Sequence, residues 1–458
     1  MSVLKAFYLQ KEHYNSFHNV TTYQNGKALI KMNHKSFVAS IYLYQGTAIK
    51  SLSNKEILSE NPVELAKYYS DNNADQILIF DLSKNDEEHE VSIDTIKKIC
   101  ESAEIPVMTA GNIKRFEDVK KLLYAGCARA VLNYTKDSNI DITKEASERF
   151  GKEKIAIALT SLEQYIDNRD LIEEFASELV IMQDSILNDF IKKSVLPMYA
   201  PLANVSLDKM MDYLEKDAIA GVFGSIVNSN ITEINGMKSL CKERGIKTNG
   251  FDALVTWSEL KLNSDGLIPC IVQDYKTKEV LMMAYMNEEA FDMTIKSGRM
   301  NYYSRSRNKQ WLKGEESGHF QYVKSLYTDC DNDTLLARVS QVGVACHTGA
   351  RSCFFNEIVK RDYIDNDPLK VFEDVLDVIK DRKINPKEGS YTNYLFDKGT
   401  DKILKKLGEE ATEIVIAAKN PNPEEIKYEI SDFLYHMMVL MADKNITWEQ
   451  ITTELSRR

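Results

Sequence analysis

Through roughly its first 250 residues the chain repeats one pattern, a short apolar run followed by an amphipathic stretch, and few folds accommodate that. Ile77-Leu78-Ile79-Phe80, Val107-Met108-Thr109 and Ala130-Val131-Leu132 read as buried strands. Between them, residues 93–100 and 116–124 carry apolar side chains at helical spacing. The pattern recurs at 154–159 and 221–227. Such alternation makes βα units on a parallel sheet. Eight of them close into a (β/α)₈ barrel of ~250 residues, which the available length fits.

Near Phe251 the texture changes. Residues 280–285 and 335–339 read as strands, without βα alternation, in a stretch dense in Arg, His, Cys and Asp. This predicts an α+β domain. From Pro368 onward the pattern is helical at 371–382, 391–420, 424–444 and 448–458, with Pro421 and Pro423 separating the two long helices. That predicts a small all-α bundle. The expected division is a barrel at 1–250, an α+β metal-binding domain at 251–366 and a helical domain at 367–458.

A formal net charge of −11 argues against a nucleic-acid partner, because phosphate contacts need a concentrated basic face. No apolar stretch approaches the ~18 residues of a membrane span. Met1-Ser2-Val3-Leu4-Lys5 opens no secretory signal, and the seven cysteines are an odd number. The expected location is the reducing cytoplasm, with cysteines kept as thiols or metal ligands.

In Asp329-Cys330-Asp331-Asn332-Asp333, three carboxylates alternate. If the segment is extended, they share one face and Cys330 takes the other. Converging carboxylates suit a hard cation such as Mg²⁺; a thiolate suits a softer metal. The loop is no EF-hand, since Thr334 replaces the required glycine and Ser340 the bidentate glutamate. A solvated acidic turn is the alternative. Cys346 and Cys353 lie six residues apart within Ala345-Cys346-His347-Thr348-Gly349-Ala350-Arg351-Ser352-Cys353, wider than structural zinc spacing. With Cys330 they make three thiolates, leaving zinc a fourth position for water. Cys100, Cys127, Cys241 and Cys270 fall outside the cluster and are expected to be buried apolar residues.

These motifs, with Asn301-Tyr302-Tyr303-Ser304-Arg305-Ser306-Arg307 and Lys313-Gly314-Glu315-Glu316-Ser317-Gly318-His319, resemble phosphoribosyl-AMP cyclohydrolase. The resemblance implies Mg²⁺ at Asp329, Asp331 and Asp333, and Zn²⁺ at Cys330, Cys346 and Cys353. It further implies that the first cysteine comes from the other subunit of a homodimer. The expected substrate is phosphoribosyl-AMP, opened at C6–N1 by a zinc-activated water. His347 could shuttle the proton or merely orient its neighbour. Arg305, Arg307 and Lys313 are candidates for the substrate phosphates, or a solvated basic strand.

In the helical part, Glu410 and Glu413 share a helix face, and Glu429 and Asp432 repeat the spacing on the next helix. Each pair repels by ~0.2–0.5 kcal/mol unless a cation lies between them. One such pair alone would read as a solvated face; two, flanked by Ile414, Val415, Phe433 and Leu434, favour a metal site. Gly389-Ser390-Tyr391-Thr392, Lys406-Leu407-Gly408-Glu409-Glu410-Ala411 and Glu429-Ile430-Ser431-Asp432-Phe433-Leu434-Tyr435-His436 resemble phosphoribosyl-ATP pyrophosphohydrolase. The resemblance implies a Mg²⁺ site of Glu409, Glu410, Glu413, Glu429 and Asp432, with phosphoribosyl-ATP as substrate. Lys398 and Lys402, one turn apart, could hold phosphates or serve solubility.

The barrel segment resembles the histidine-pathway barrels more loosely, through 61–69, 105–107 and 122–126. Those families place a catalytic aspartate on the first strand, where this sequence has Tyr42, and an acidic residue or threonine on the fifth, here near Thr160. One phosphate loop reads Thr109-Ala110-Gly111-Asn112; the other, Tyr199-Ala200-Pro201-Leu202-Ala203, has no glycine, and Pro201 has no N–H to donate. A non-catalytic barrel is expected, serving as scaffold, oligomerisation surface or small-ligand sensor. The alternatives are a live barrel with relocated residues, or a regulatory barrel beside only one retained C-terminal activity.

Overall fold

A computed structural model describes residues 21–24, 27–30, 34–203, 205–250, 253–361, 370–420 and 423–456. The N-terminal opening, Phe251, Tyr363, Pro368, Pro421 and Arg458, together with the 366/367 boundary, lie outside the described residues.

Eight parallel strands pair in chain order: Ser36–Tyr44, Gln76–Asp81, Val107–Ala110, Arg129–Asn133, Ile155–Leu159, Glu178–Ile181, Met198–Pro201 and Ile219–Phe223. The last returns to the first through Gly221↔Ser36, Val222↔Phe37 and Phe223↔Val38, closing the barrel and removing its edges. Gly221 makes the seam possible, since a Cβ there would stand 2.3 Å from the Ser36 carbonyl oxygen. Period-two alternation sends Phe37, Ala39, Ile41 and Leu43 into the layer beneath the helices, while Val38 and Tyr42 join the barrel interior. The 221–227 stretch is not one element. Its strand ends at Phe223, and Gly224 (φ +106°) turns the chain into the Ser225–Ser229 helix.

The following region builds a four-stranded sheet in the order Val280–Met286, Ile268–Asp274, Leu335–Gln341, Gln321–Thr328. The Glu288–Ser297 helix and the Asn301–Ser304/Lys309–Leu312 hairpin complete it. Its core gathers Ile268, Val272, Leu281, Phe291, Tyr302 and Val339. Barrel and sheet region form one compact unit through Asn356, closer than the expected separation at 250 suggests. Lys324 Nζ explains part of this by reaching Asp71 (3.2 Å) and Glu104 (2.9 Å) of the barrel, while the Asn72 amide donates to the Tyr322 hydroxyl at 3.4 Å.

The second unit holds the helices Lys370–Ile384, Tyr391–Lys398, Thr400–Ala417, Pro423–Asp443 and Trp448–Ser456 around Leu376, Ile379, Leu395, Ile403 and Val439. The single helix expected at 391–420 is two, because Gly399 (φ +78°) ends the first and starts the second. Among the described residues no helix is long and apolar enough to cross a membrane.

One buried ion pair ties the barrel's ends together. Lys238 Nζ lies 2.7 Å from Asp75 Oδ1 with both side chains 4–5% exposed, and Asp75 Oδ2 accepts from the Phe37 amide at 2.8 Å. Asp75→Ala strands a buried ammonium and should cost about 3–5 kcal/mol, read as a lowered urea midpoint. The double variant with Lys238→Met should recover most of that loss.

Candidate active sites

The segment carrying Asp329, Asp331 and Asp333 is a tight turn between the third and fourth partners of the sheet, not the extended strand considered above. Asn332 (φ +63°) bends it, and the Asp329 carboxylate accepts from the amides of Asp333 (3.0 Å) and Thr334 (3.3 Å). Desolvation pushes the Asp329 carboxyl up, but these N–H groups outweigh it and hold it below the ordinary aspartate value. The turn thereby brings one oxygen of each of the three exposed carboxylates within 4.8 Å of the others. Such a set can chelate a hard cation.

Cys346 and Cys353 interact through their sulfurs, on a loop that follows the Leu335–Gln341 strand. The Thr348 hydroxyl donates to Cys346 Sγ at 3.1 Å and is the main reason that thiol sits below its usual pKa; burial pushes the Cys353 thiol up. Cys330 is exposed on the aspartate turn, and among the described residues no grouping of metal-capable side chains within one chain joins it to the other two sulfurs. His347 is exposed, its Nδ1 4.0 Å from Cys346 Sγ. Lys313 is buried and donates to the Ala345 carbonyl at 2.7 Å. Burial lowers its pKa, against the pull of the two thiols. It therefore braces the cysteine loop from inside, where the sequence offered a phosphate ligand. Arg305 and Arg307 are exposed, stacked over Tyr285 (4.0 Å) and Trp311 (5.5 Å).

In the helical unit, Glu410, Glu413 and Glu429 place ligand oxygens within 4.8 Å of one another. Glu413 is pushed up by a hydrogen bond with Glu410 and by the charges of Glu410 and Glu429. Glu409 is not part of this trio, because Lys406 (2.9 Å) and Lys405 (3.6 Å) hold its carboxylate; Asp432 is exposed and also outside it. Two polar neighbours received no role from the sequence. Lys406 reaches Glu410 Oε1 at 3.1 Å, and buried His436 lies 3.6 Å from the same oxygen. The Lys406 signal was present, since i,i+4 spacing from Lys406 to Glu410 predicts contact. His436 shows only once the helices are packed.

At the barrel mouth Tyr42 stacks on Phe80 (5.1 Å between centroids), with Phe223 beyond (6.3 Å), in a cavity of about 840 Å³. Thr160 bonds to Gln164 through both its amide and its hydroxyl. Asn112 donates to the Asp81 and Ser83 carbonyls, and a Cβ on Gly111 would stand 2.2 Å from the Asp81 oxygen. Cys241 and Cys270 are buried, as expected, and burial raises them to about 11 and about 12. Cys127 is buried too, as expected; Cys100 is only partly buried, its sulfur 3.9 Å from that of Cys127.

Three family profiles match the chain: histidine biosynthesis protein over 38–193, phosphoribosyl-AMP cyclohydrolase over 282–355 and phosphoribosyl-ATP pyrophosphohydrolase over 372–458. The histidine biosynthesis bifunctional protein HisIE of Caldanaerobacter subterraneus subsp. tengcongensis is 55% identical over 205 residues, which cover 45% of this chain and 98% of that protein. The HisIE of Lactococcus lactis subsp. lactis is 51% identical over 192 residues (42% and 88%), and that of Bacillus subtilis 46% over 200 (44% and 95%). The chain belongs to the HisIE family. It is a bifunctional hydrolase of histidine biosynthesis, with a cyclohydrolase and a pyrophosphohydrolase domain, and it carries a histidine-biosynthesis-type barrel besides. The cyclohydrolase profile spans both the aspartate turn and the cysteine loop; the pyrophosphohydrolase profile spans the glutamate trio.

The raised Glu413 sets a pH dependence in metal-free protein. A carboxyl whose folded pKa exceeds its unfolded value penalises folding once pH rises through the folded value, and acidification removes the penalty. Between about pH 7 and about pH 5, metal-free wild type should therefore lose less melting temperature, or gain more, than Glu413→Gln. Circular dichroism melts of the two proteins in chelator check this.

Proposed function

We propose that residues 251–366 open the adenine ring of phosphoribosyl-AMP with Zn²⁺ and Mg²⁺, and that 367–458 release pyrophosphate from phosphoribosyl-ATP with Mg²⁺. The observation that carries this is the convergence of two separate carboxylate trios, one in each profile-matched region. Asp329, Asp331 and Asp333 would hold one Mg²⁺, and Glu410, Glu413 and Glu429 another, with Glu409 and Asp432 near enough in sequence to join on binding. Cys346 and Cys353 would hold zinc together with Cys330 of a second copy, since a single chain leaves Cys330 apart from them.

When bound, zinc would lower the pKa of a water towards ~7, making it a nucleophile for purine C6, while Mg²⁺ would screen phosphate charge. The chain's own residues do the rest. Lys313 fixes the loop through Ala345 and favours thiolate on both cysteines. His347, exposed beside Cys346, would carry a proton to the leaving N1. Arg305 and Arg307 offer guanidinium forks to the substrate phosphates. Exposed Phe354 (65%), Ile358 (98%) and Val359 (86%), just after Cys353, support a homodimer that covers them. The cytoplasm is the proposed location.

Cys346→Ala should abolish ring opening and leave pyrophosphate release within about twofold of wild type; Glu410→Ala should do the reverse. Each reaction is assayed with its own substrate, and purified protein should carry about one zinc per chain by elemental analysis. Absence of either activity from wild type shows that domain to be misread.

The barrel is proposed to be non-catalytic. Tyr42 buries its ring against Phe80 where a general acid or base is needed, Thr160 is committed to Gln164, and the Gly111 loop is filled by its own Asn112. Offered the aminoimidazole ribotide substrates of the isomerase and the cyclase, the full chain should turn over neither; measurable product overturns the assignment.

A further inference from the structure

The pyrophosphohydrolase reading leaves open what recognises the base, and the surface beside the glutamate trio supplies an answer that rests on that reading. Tyr394, Tyr391 and Tyr435 form a near-parallel ladder, with centroids 6.1 and 6.5 Å apart and interplanar angles of 23°. Tyr391 and Tyr394 are nonetheless 46% and 42% exposed. The ladder is anchored rather than loose. His436 Nδ1 donates to the Asp432 carbonyl at 2.8 Å, so in the neutral ring Nε2 accepts from the Tyr391 hydroxyl at 3.1 Å. The Thr392 and Tyr435 hydroxyls bond at 2.7 Å. The same His436 ring lies 3.6 Å from Glu410, which places the ladder directly beside the acidic site. On its other side the ammonium groups of Lys398 and Lys402 both stand 6.0 Å from the Tyr394 ring centre. Lys402, Lys406 and Glu410 follow one another at i,i+4 on a single helix, so the outer lysine is ~12 Å along the axis from Glu410.

We infer that the tyrosine ladder is a stacking platform for the purine of the nucleotide, and that Lys398 and Lys402 hold the phosphate of the ribose carried on N1. The substrate's layout matches that order: a triphosphate on one side of a planar base and a ribose phosphate on the other. Aromatic faces take bases by stacking, and ammonium groups take phosphate as point charges. An ordinary adenosine triphosphate, which lacks the second phosphate, engages the platform but not the outer lysines.

The test uses the full chain and reads KM and kcat for pyrophosphate release, with ATP as competitor. Tyr391→Leu should raise KM and the ATP inhibition constant about tenfold while kcat moves less than about threefold. Tyr391→Phe, which keeps the ring but not the hydroxyl, should bring KM back to within about threefold. The Lys398→Gln/Lys402→Gln double variant should raise KM for phosphoribosyl-ATP about tenfold and leave ATP inhibition unchanged. The platform is overturned by an unchanged KM in Tyr391→Leu, by Tyr391→Phe failing as Leu does, or by a changed particle mass in light scattering, which would make the rung a subunit contact. The lysine assignment is overturned if the double variant weakens both ligands equally. Should wild type release no pyrophosphate, the reading of the domain has failed instead; calorimetric ATP affinities of wild type and Tyr391→Leu then decide the platform, equality sinking it.

Discussion

Both hydrolase regions depend on holding like charges closer than they would settle by themselves. Oxygens of three carboxylates within 4.8 Å repel, and each cluster is held together by groups that its own scaffold supplies. In the aspartate turn the restraint is backbone: amides of Asp333 and Thr334 point at Asp329, and Asn332 accepts a left-handed conformation to aim them. In the helical unit the restraint is side-chain charge. Lys406 bridges Glu409 and Glu410, and Glu413, hydrogen-bonded to Glu410 and facing its charge, is pushed up. The two solutions differ because a helix has already spent its interior amides on its own carbonyls, whereas a turn has amides to spare.

How much of this could be read from the chain follows from the same distinction. The glutamate pairs were legible because 3.6-residue periodicity converts spacing into a shared face, and the structure does gather Glu410, Glu413 and Glu429. Asp432 was read from its spacing to Glu429 and Glu409 from resemblance alone, and both lie outside the trio. Of the two readings open for 329–333, the structure has the acidic turn, with Asn332 in a left-handed conformation, rather than the extended strand. Gly399 was read through, although its positive φ is what divides the long helix. Lys313 shows a limit of a different kind. A lysine in a basic stretch gives no sign of being buried until the Ala345 carbonyl is placed against it.

In the barrel, the residues that close the fold and the residues that face its mouth are different sets. The apolar runs of the strands were legible in the sequence; Gly221 at the closing seam and the buried Asp75–Lys238 pair show only in the structure. At the mouth, side chains pack against one another. Tyr42 and Phe80 stack face to face at neighbouring strand ends, and the amide of Asn112 fills the one glycine-bearing phosphate loop. The cavity of about 840 Å³ at this mouth is thus faced at Tyr42, Phe80 and Phe223 by aromatic rings rather than by carboxylates.

The contacts of the first unit also give the barrel a part that acts through structure. Asp71 and Glu104 of the barrel hold Lys324 in the middle of the Gln321–Thr328 strand, and that strand runs directly into the aspartate turn. The neighbouring strand is held as well, by Lys67 on Ser340 at 3.2 Å, and it leads to the cysteine loop. Both the aspartate turn and the cysteine loop thus follow strands that carry contacts to barrel residues. A scaffold that fixes two strands limits how far their ends can wander, and that needs no group to react.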